Sequence, residues 1–87
     1  VYDTVHQRMV LFGGNINATP TATSEMWGLK LHTSIPSWSI LPATSGSPPL
    51  PRSGHSAIYD SGLNRMIIYG GYDDLAIAYD EVWVIDF

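Results

Sequence analysis

Four carboxylates crowd one short stretch of this chain: Asp73, Asp74, Asp80 and Glu81. Closely spaced carboxylate oxygens are the ligands a hard cation such as calcium takes, but the D-x-D-x-D-G pattern of a calcium loop is missing. A solvated acidic loop is therefore expected. His6, His32 and His55 supply imidazole nitrogens, yet none stands at metal-ligand spacing from another or from a carboxylate. Arg52 and His55 are an acid–base pair in composition. No nucleophile–base arrangement accompanies them, and their place just before a strand favours backbone hydrogen bonding. The double glycines Gly13-Gly14 and Gly70-Gly71 invite a phosphate-cradle reading. Neither leads from a strand into a helix or extends to G-x-G-x-x-G, so a steric role is expected, where a turning strand leaves no room for a β-carbon. Trp27, Trp38 and Trp83 could stack on sugars or bases, but at recurring strand positions they are expected to fill the space between sheets. Asn17-Ala18-Thr19 matches a glycosylation sequon, with Pro20 directly after it. No catalytic set, metal site or cofactor is expected from these residues.

The elements that position them come in two copies. Residues VYDTVHQRMVLFGG (Val1–Gly14) return as IYDSGLNRMIIYGG (Ile58–Gly71), with six of fourteen positions identical and six more conservative. Downstream, EMWGLKL (Glu25–Leu31) returns as EVWVIDF (Glu81–Phe87). A period of about 57 residues is a fold-level signal, and it makes the chain about one and a half units. His6 is Leu63 in the second copy, which argues against a repeated role for it. The apolar runs are short, flanked by turn residues and rich in β-branched and aromatic side chains, as strands are. The expected strands are Val1–Tyr2, Arg8–Phe12, Met26–Leu31, Ser37–Leu41, Gly54–Tyr59, Arg65–Tyr69 and Val82–Phe87. Asp60–Asn64 reads as a hairpin loop, with Asp60 accepting from backbone N–H groups, Gly62 taking a positive φ, and Arg8 and Arg65 as hairpin-end residues. Prolines at 36, 42, 48, 49 and 51 exclude helix from the middle. The chain thus divides into residues 1–41, a Pro/Ser/Gly-rich linker 42–52 expected to be extended and ordered, and a partial second unit 53–87.

Four apolar residues before a double glycine, then a tryptophan about a dozen residues on, resemble the kelch repeat. The matching residues are Met9–Gly14 with Trp27 and Trp38, and Met66–Gly71 with Trp83. Pro51-Arg52-Ser53-Gly54-His55-Ser56 is similar to the lead-in to the innermost strand in many kelch sequences. The resemblance implies an all-β fold of four-stranded antiparallel β-propeller blades, a partial ring or a ring-forming segment. It also implies that further kelch blades complete the structure or, if this is the full chain, that copies of it associate as a homo-oligomer.

Composition narrows the partners. The chain is 45% hydrophobic and 14% charged, too apolar for disorder and poor in surface charge. A net charge of −4 disfavours nucleic acid and anionic membrane, and no apolar run nears the roughly 18–20 residues that span a bilayer. The absence of cysteine fits a reducing compartment. The first residues carry no basic n-region or signal-peptide core. The loops Asn15–Ser24 and Tyr72–Asp80 are the least repeat-like segments, and alternating strand direction puts them with the linker on one rim. Rigid scaffolds carry recognition on such loops. Tyr72, Asp73, Asp74, Leu75, Ile77 and Tyr79 are therefore the candidate contacts for a protein partner, and a non-enzymatic binding module is the expected function. The alternatives are a scaffold segment of an enzyme, of the sugar-oxidase or sialic-acid-isomerase type that some kelch propellers form, and a self-assembling structural piece.

Overall fold

A computed structural model of the chain describes residues 1–42 and 47–87. Every regular element in them is a strand: β1 (Tyr2–Asp3), β2 (Arg8–Phe12), β3 (Met26–Lys30), β4 (Ser37–Ile40), β5 (Ser56–Asp60), β6 (Arg65–Tyr69) and β7 (Val82–Asp86). They form two antiparallel sheets with nearest-neighbour connections, β1-β2-β3-β4 and β5-β6-β7. The expected strands are all present, β2 and β6 with the expected bounds and the others with ends shifted by one or two residues. Part of the expected linker, residues 43–46, lies outside the described residues.

The two first hairpins close in the same way. Asp3 faces Arg8 across β1–β2, and Asp60 faces Arg65 across β5–β6. In each pair the arginine Nε donates to the aspartate Oδ2, at 3.0 and 2.9 Å. The other carboxylate oxygen accepts loop N–H groups, those of Val5 and His6 in one copy and Gly62 in the other. Arg8 and Arg65 are thus hairpin-end residues with a defined partner. The positive φ is not at Gly62, as expected, but at Asn64 (50°) and its equivalent Gln7 (52°). A four-residue loop of this kind reverses the chain early and needs its left-handed residue just before the returning strand.

The core lies between the sheets. Val10 and Phe12 of β2 and Met26 of β3 meet Met66 and Ile68 of β6, with Trp83, Ile85 and Phe87 packed at the margin. Alternation does the sorting, since successive strand residues point to opposite faces. Register places Trp27 opposite Ile40, and Leu29 opposite Trp38, on the outer face of the first sheet. This corrects the expectation for the tryptophans. Trp38 is 48% exposed and does not fill the space between the sheets, and Trp27 shares its outward face. Only Trp83 packs between them, because that side of its sheet, unlike the same side of the first, has a neighbour.

Candidate functional site

The segment Pro51–His55 joins the two sheets. Arg52 attaches its backbone to the first: its N–H donates to Thr23 O at 3.3 Å, and its carbonyl accepts from Gly14 N–H at 2.8 Å. Its fully buried side chain attaches to the second. There Nη1 donates to Gly70 O (3.0 Å), Nη2 to Glu81 Oε1 (2.8 Å), and the guanidinium lies 4.1 Å over the Tyr79 ring. Nε donates to Leu50 O, which keeps the fork in its own turn. The next residue, Ser53, exchanges two backbone bonds with Tyr72, each 3.0 Å. A planar five-donor fork suits this seat, because it satisfies two carbonyls and a carboxylate at fixed angles while stacking on a ring. Hydrogen bonding to Arg52, and then to the Trp83 indole, holds the Glu81 carboxyl below its usual pKa. His55 packs edge-on against Phe12 at 5.6 Å. Burial, then the charge of Arg52, pulls its imidazole below the usual value.

The double glycines serve this joint. A β-carbon on Gly13 would stand 2.7 Å from Arg52 O, and one on Gly71 2.9 Å from Ser53 O. Both residues also have positive φ, 64° and 91°, so close approach and backbone shape each require glycine.

The non-repeating loops meet beside the joint. Asp74 accepts from the backbone N–H of Thr21 (2.8 Å) and Ala22 (2.7 Å) and from the Thr21 hydroxyl, tying the loop after β6 to the loop after β2. Those bonds, the hydroxyl's first, hold its pKa low. Asp73 Oδ1 accepts from Leu75 and Ile77 N–H at 2.9 and 3.0 Å, folding its own loop into a tight turn. The acidic loop is exposed, as expected, and its carboxylates are engaged as well: Asp73 and Asp74 accept from backbone N–H groups, and Glu81 accepts from the Arg52 and Trp83 side chains. Beside them Pro20, Ala22, Leu50, Pro51, Leu75 and Tyr79 line a shallow groove of about 220 Å³. Leu75 is 79% exposed and Ile77 56%.

Among the six candidate contacts, Leu75, Ile77 and Tyr72 present apolar surface, Asp73 and Asp74 pin the loops, and Tyr79 is held under Arg52. Glu25 and Glu81 each accept from an indole N–H two residues on, Trp27 at 3.0 Å and Trp83 at 2.7 Å. Both this pairing and the Asp–Arg hairpin clasp were missed in the sequence. Their signal was present in the recurrence of E-x-W and D-x-x-x-x-R at equivalent places in both copies. Among the described residues no group of three or more His, Asp or Glu could hold a metal ion, and no helix is long and apolar enough to cross a membrane.

The chain is similar in sequence to short stretches of longer proteins. No protein-family profile matches the sequence, and no solved structure does. The chain is similar to the Rho GTPase-activating protein gacHH of Dictyostelium discoideum, 41% identical over 69 residues, which cover 77% of this chain and 4% of that protein. It is also similar to dynein regulatory complex subunit 7 of Chlamydomonas reinhardtii, 24% identical over 82 residues, or 94% of this chain and 7% of that one. The chain thus spans less than a tenth of the length of either relative.

Proposed function

We propose that the chain is a segment of a kelch-type β-propeller and a binding module, taking an extended stretch of another protein on the end where its non-repeating loops meet. The observation that carries the reading is that exposed apolar side chains, Leu75 and Ile77, stand on a turn closed by Asp73 and tied by Asp74 to the neighbouring loop, with the exposed Leu50 beside them on a carbonyl held by Arg52. A loop ordered in advance saves part of the entropy that binding otherwise costs, about 0.5–1.5 kcal/mol per immobilised side chain. The groove, about 220 Å³, is smaller than the roughly 300–1,000 Å³ of small-molecule sites; it suits a partner's aliphatic or aromatic side chain. The kelch assignment is supported by the strand order, the seating of Gly13 and Gly71 against Arg52 and Ser53, and the Pro-Arg-x-Gly-His lead-in. The similar proteins are, by name, a subunit of a regulatory complex and a GTPase-activating protein, which accords with an interaction element carried in long chains.

Selection from a displayed peptide library tests this. Peptides enriched on the chain are expected to bind the double variant Leu75→Ser/Ile77→Ser at least tenfold more weakly, with its melting curve unchanged. Peptides that bind both proteins equally, or whose chemical-shift changes map to the outer sheet faces, would refute the assignment.

A further inference from the structure

The net charge of −4 is not spread over the molecule. Register sorts the strand ends into two groups. At one end Arg8 stands opposite Lys30 and Arg65 opposite Asp86; at the other Phe12 stands opposite Met26 and Tyr69 opposite Val82. The first end holds Asp3, Asp60 and Asp86 against Arg8, Lys30 and Arg65, which cancel. The end where the loops meet holds Glu25, Asp73, Asp74, Asp80 and Glu81 against Arg52. With the histidines neutral, the whole −4 lies there. Arg52 is fully buried and turns its fork onto Gly70, Leu50 and Glu81, so it offers no charge to a partner. Asp73 and Asp74 accept from neutral N–H and O–H groups, which keep a carboxylate ionised rather than cancel it. A carboxylate has about four acceptor sites; the loop bonds occupy two on Asp73, both at Oδ1, and three on Asp74. Both residues line the groove with Leu50, Leu75 and Tyr79. An apolar seat thus has spare anionic oxygens in its wall, and the exposed Asp80 follows directly on Tyr79.

We propose that the stretch of protein taken by this groove is basic, with a Lys or Arg within about two residues of its apolar anchor and the cationic head set against Asp73 and Asp74. The inference rests on the loop-binding reading and adds the partner's chemistry to it. Charge complementarity selects the occupant. An acidic or neutral stretch would desolvate the spare oxygens without bringing a cation to them, and a nucleic acid would be repelled by the same field. A Lys or Arg stem can lie along the apolar wall while its head stays wet at the rim. The walls all come from residues 20–79, on both sides of the internal joint. Attraction between exposed charges of this kind speeds encounter and is screened by salt.

Peptides enriched on the chain from a displayed library, measured singly by fluorescence anisotropy, test this. Lys and Arg are expected beside the apolar anchor in excess of their frequency in the library. Kd should rise about tenfold from about 0.1 to about 1 M salt, as the screening length shrinks from about 10 to about 3 Å. Asp80→Asn and Asp80→Lys alter one exposed charge beside the groove. Both should weaken binding, the reversal by at least about fivefold, with melting curves unchanged. Lys30→Glu is an equal and opposite reversal at the far end of the five-residue β3. It lies about 16 Å along the strand from the loops, beyond the screening length at about 0.1 M salt, and should leave Kd within about twofold. Enriched peptides that depend on Leu75 and Ile77 but lack basic residues, or whose Kd ignores salt and Asp80, would overturn this inference and leave the loop reading intact. A Lys30→Glu effect as large as that of Asp80→Lys would show attraction by net charge alone and overturn the placement at the groove. Peptides indifferent to Leu75→Ser/Ile77→Ser, or a library that yields none, would overturn both readings.

Discussion

Truncating Arg52 to alanine is the sharpest test of the joint. The side chain is fully buried and reaches Gly70 O, Leu50 O, Glu81 and the face of Tyr79. Removing it leaves the buried Gly70 carbonyl without this donor, a loss of about 1–3 kcal/mol. The desolvated cation over Tyr79 is worth about 1–2 kcal/mol more. Glu81 adds little, because its side chain is 44% exposed and regains water when the guanidinium leaves; a pair of that kind contributes about 0–1 kcal/mol. The expected total is about 2–6 kcal/mol, against the roughly 4–13 kcal/mol that a chain of this size has in all. At about 4–8 °C per kcal/mol, the midpoint should fall by at least about 8 °C. Urea and thermal unfolding followed by tryptophan fluorescence reads this directly, since Trp83 donates to the same carboxylate. Arg52→Lys keeps the charge but not the fork, and is expected to recover less than half of the loss. An Arg52→Ala midpoint within about 2 °C of wild type would show that the backbone contacts alone hold the sheets together.

Two further outcomes follow from the hairpins and the ionised groups. Gln7→Gly is expected to stabilise the chain by about 0.5–1 kcal/mol, because a non-glycine side chain at φ 52° is strained; Asn64→Gly at the equivalent position should destabilise it, because Asn64 Oδ1 accepts the Tyr59 hydroxyl at 2.6 Å. Midpoints moving in the same direction for both would contradict this. Acid should weaken the fold in two stages. His55, lowered from 6.5, favours the folded state only while neutral, so its share of stability begins to drain as pH falls through the unfolded value near 6.5. Asp3, Asp60, Asp74 and Glu81 have lowered values, so their contribution is present above the unfolded values of 3.8 and 4.5 and is lost as pH falls through the folded ones. Urea midpoints measured from pH 8 to 3 should show both stages, and His55→Gln should abolish only the upper one.

Strand positions were legible in this sequence because they depend on local matters: apolar runs such as Met66–Tyr69, the glycines that stop them, and the prolines that exclude helix. Repetition then made the reading robust, since Arg8–Phe12 and Arg65–Tyr69 vouch for each other. What repetition could not tell is which side of a strand is covered. Trp27 and Trp83 are identical in type, motif and indole partner, yet only Trp83 packs between the sheets, because coverage depends on what lies beyond the repeat. The partners of the acidic loop were illegible for a related reason. Asp73 and Asp74 are adjacent in sequence and equal in charge, but one closes its own turn and the other reaches Thr21, 53 residues away. A carboxylate's partner across such a span is fixed only when the sheets have been set side by side, and it is Arg52 that sets them so. The same dependence applies to function: the groove beside Leu75 and Leu50 exists only where three loops from two units converge, so the affinity of that end should respond to changes at the joint as well as to changes in the loops themselves.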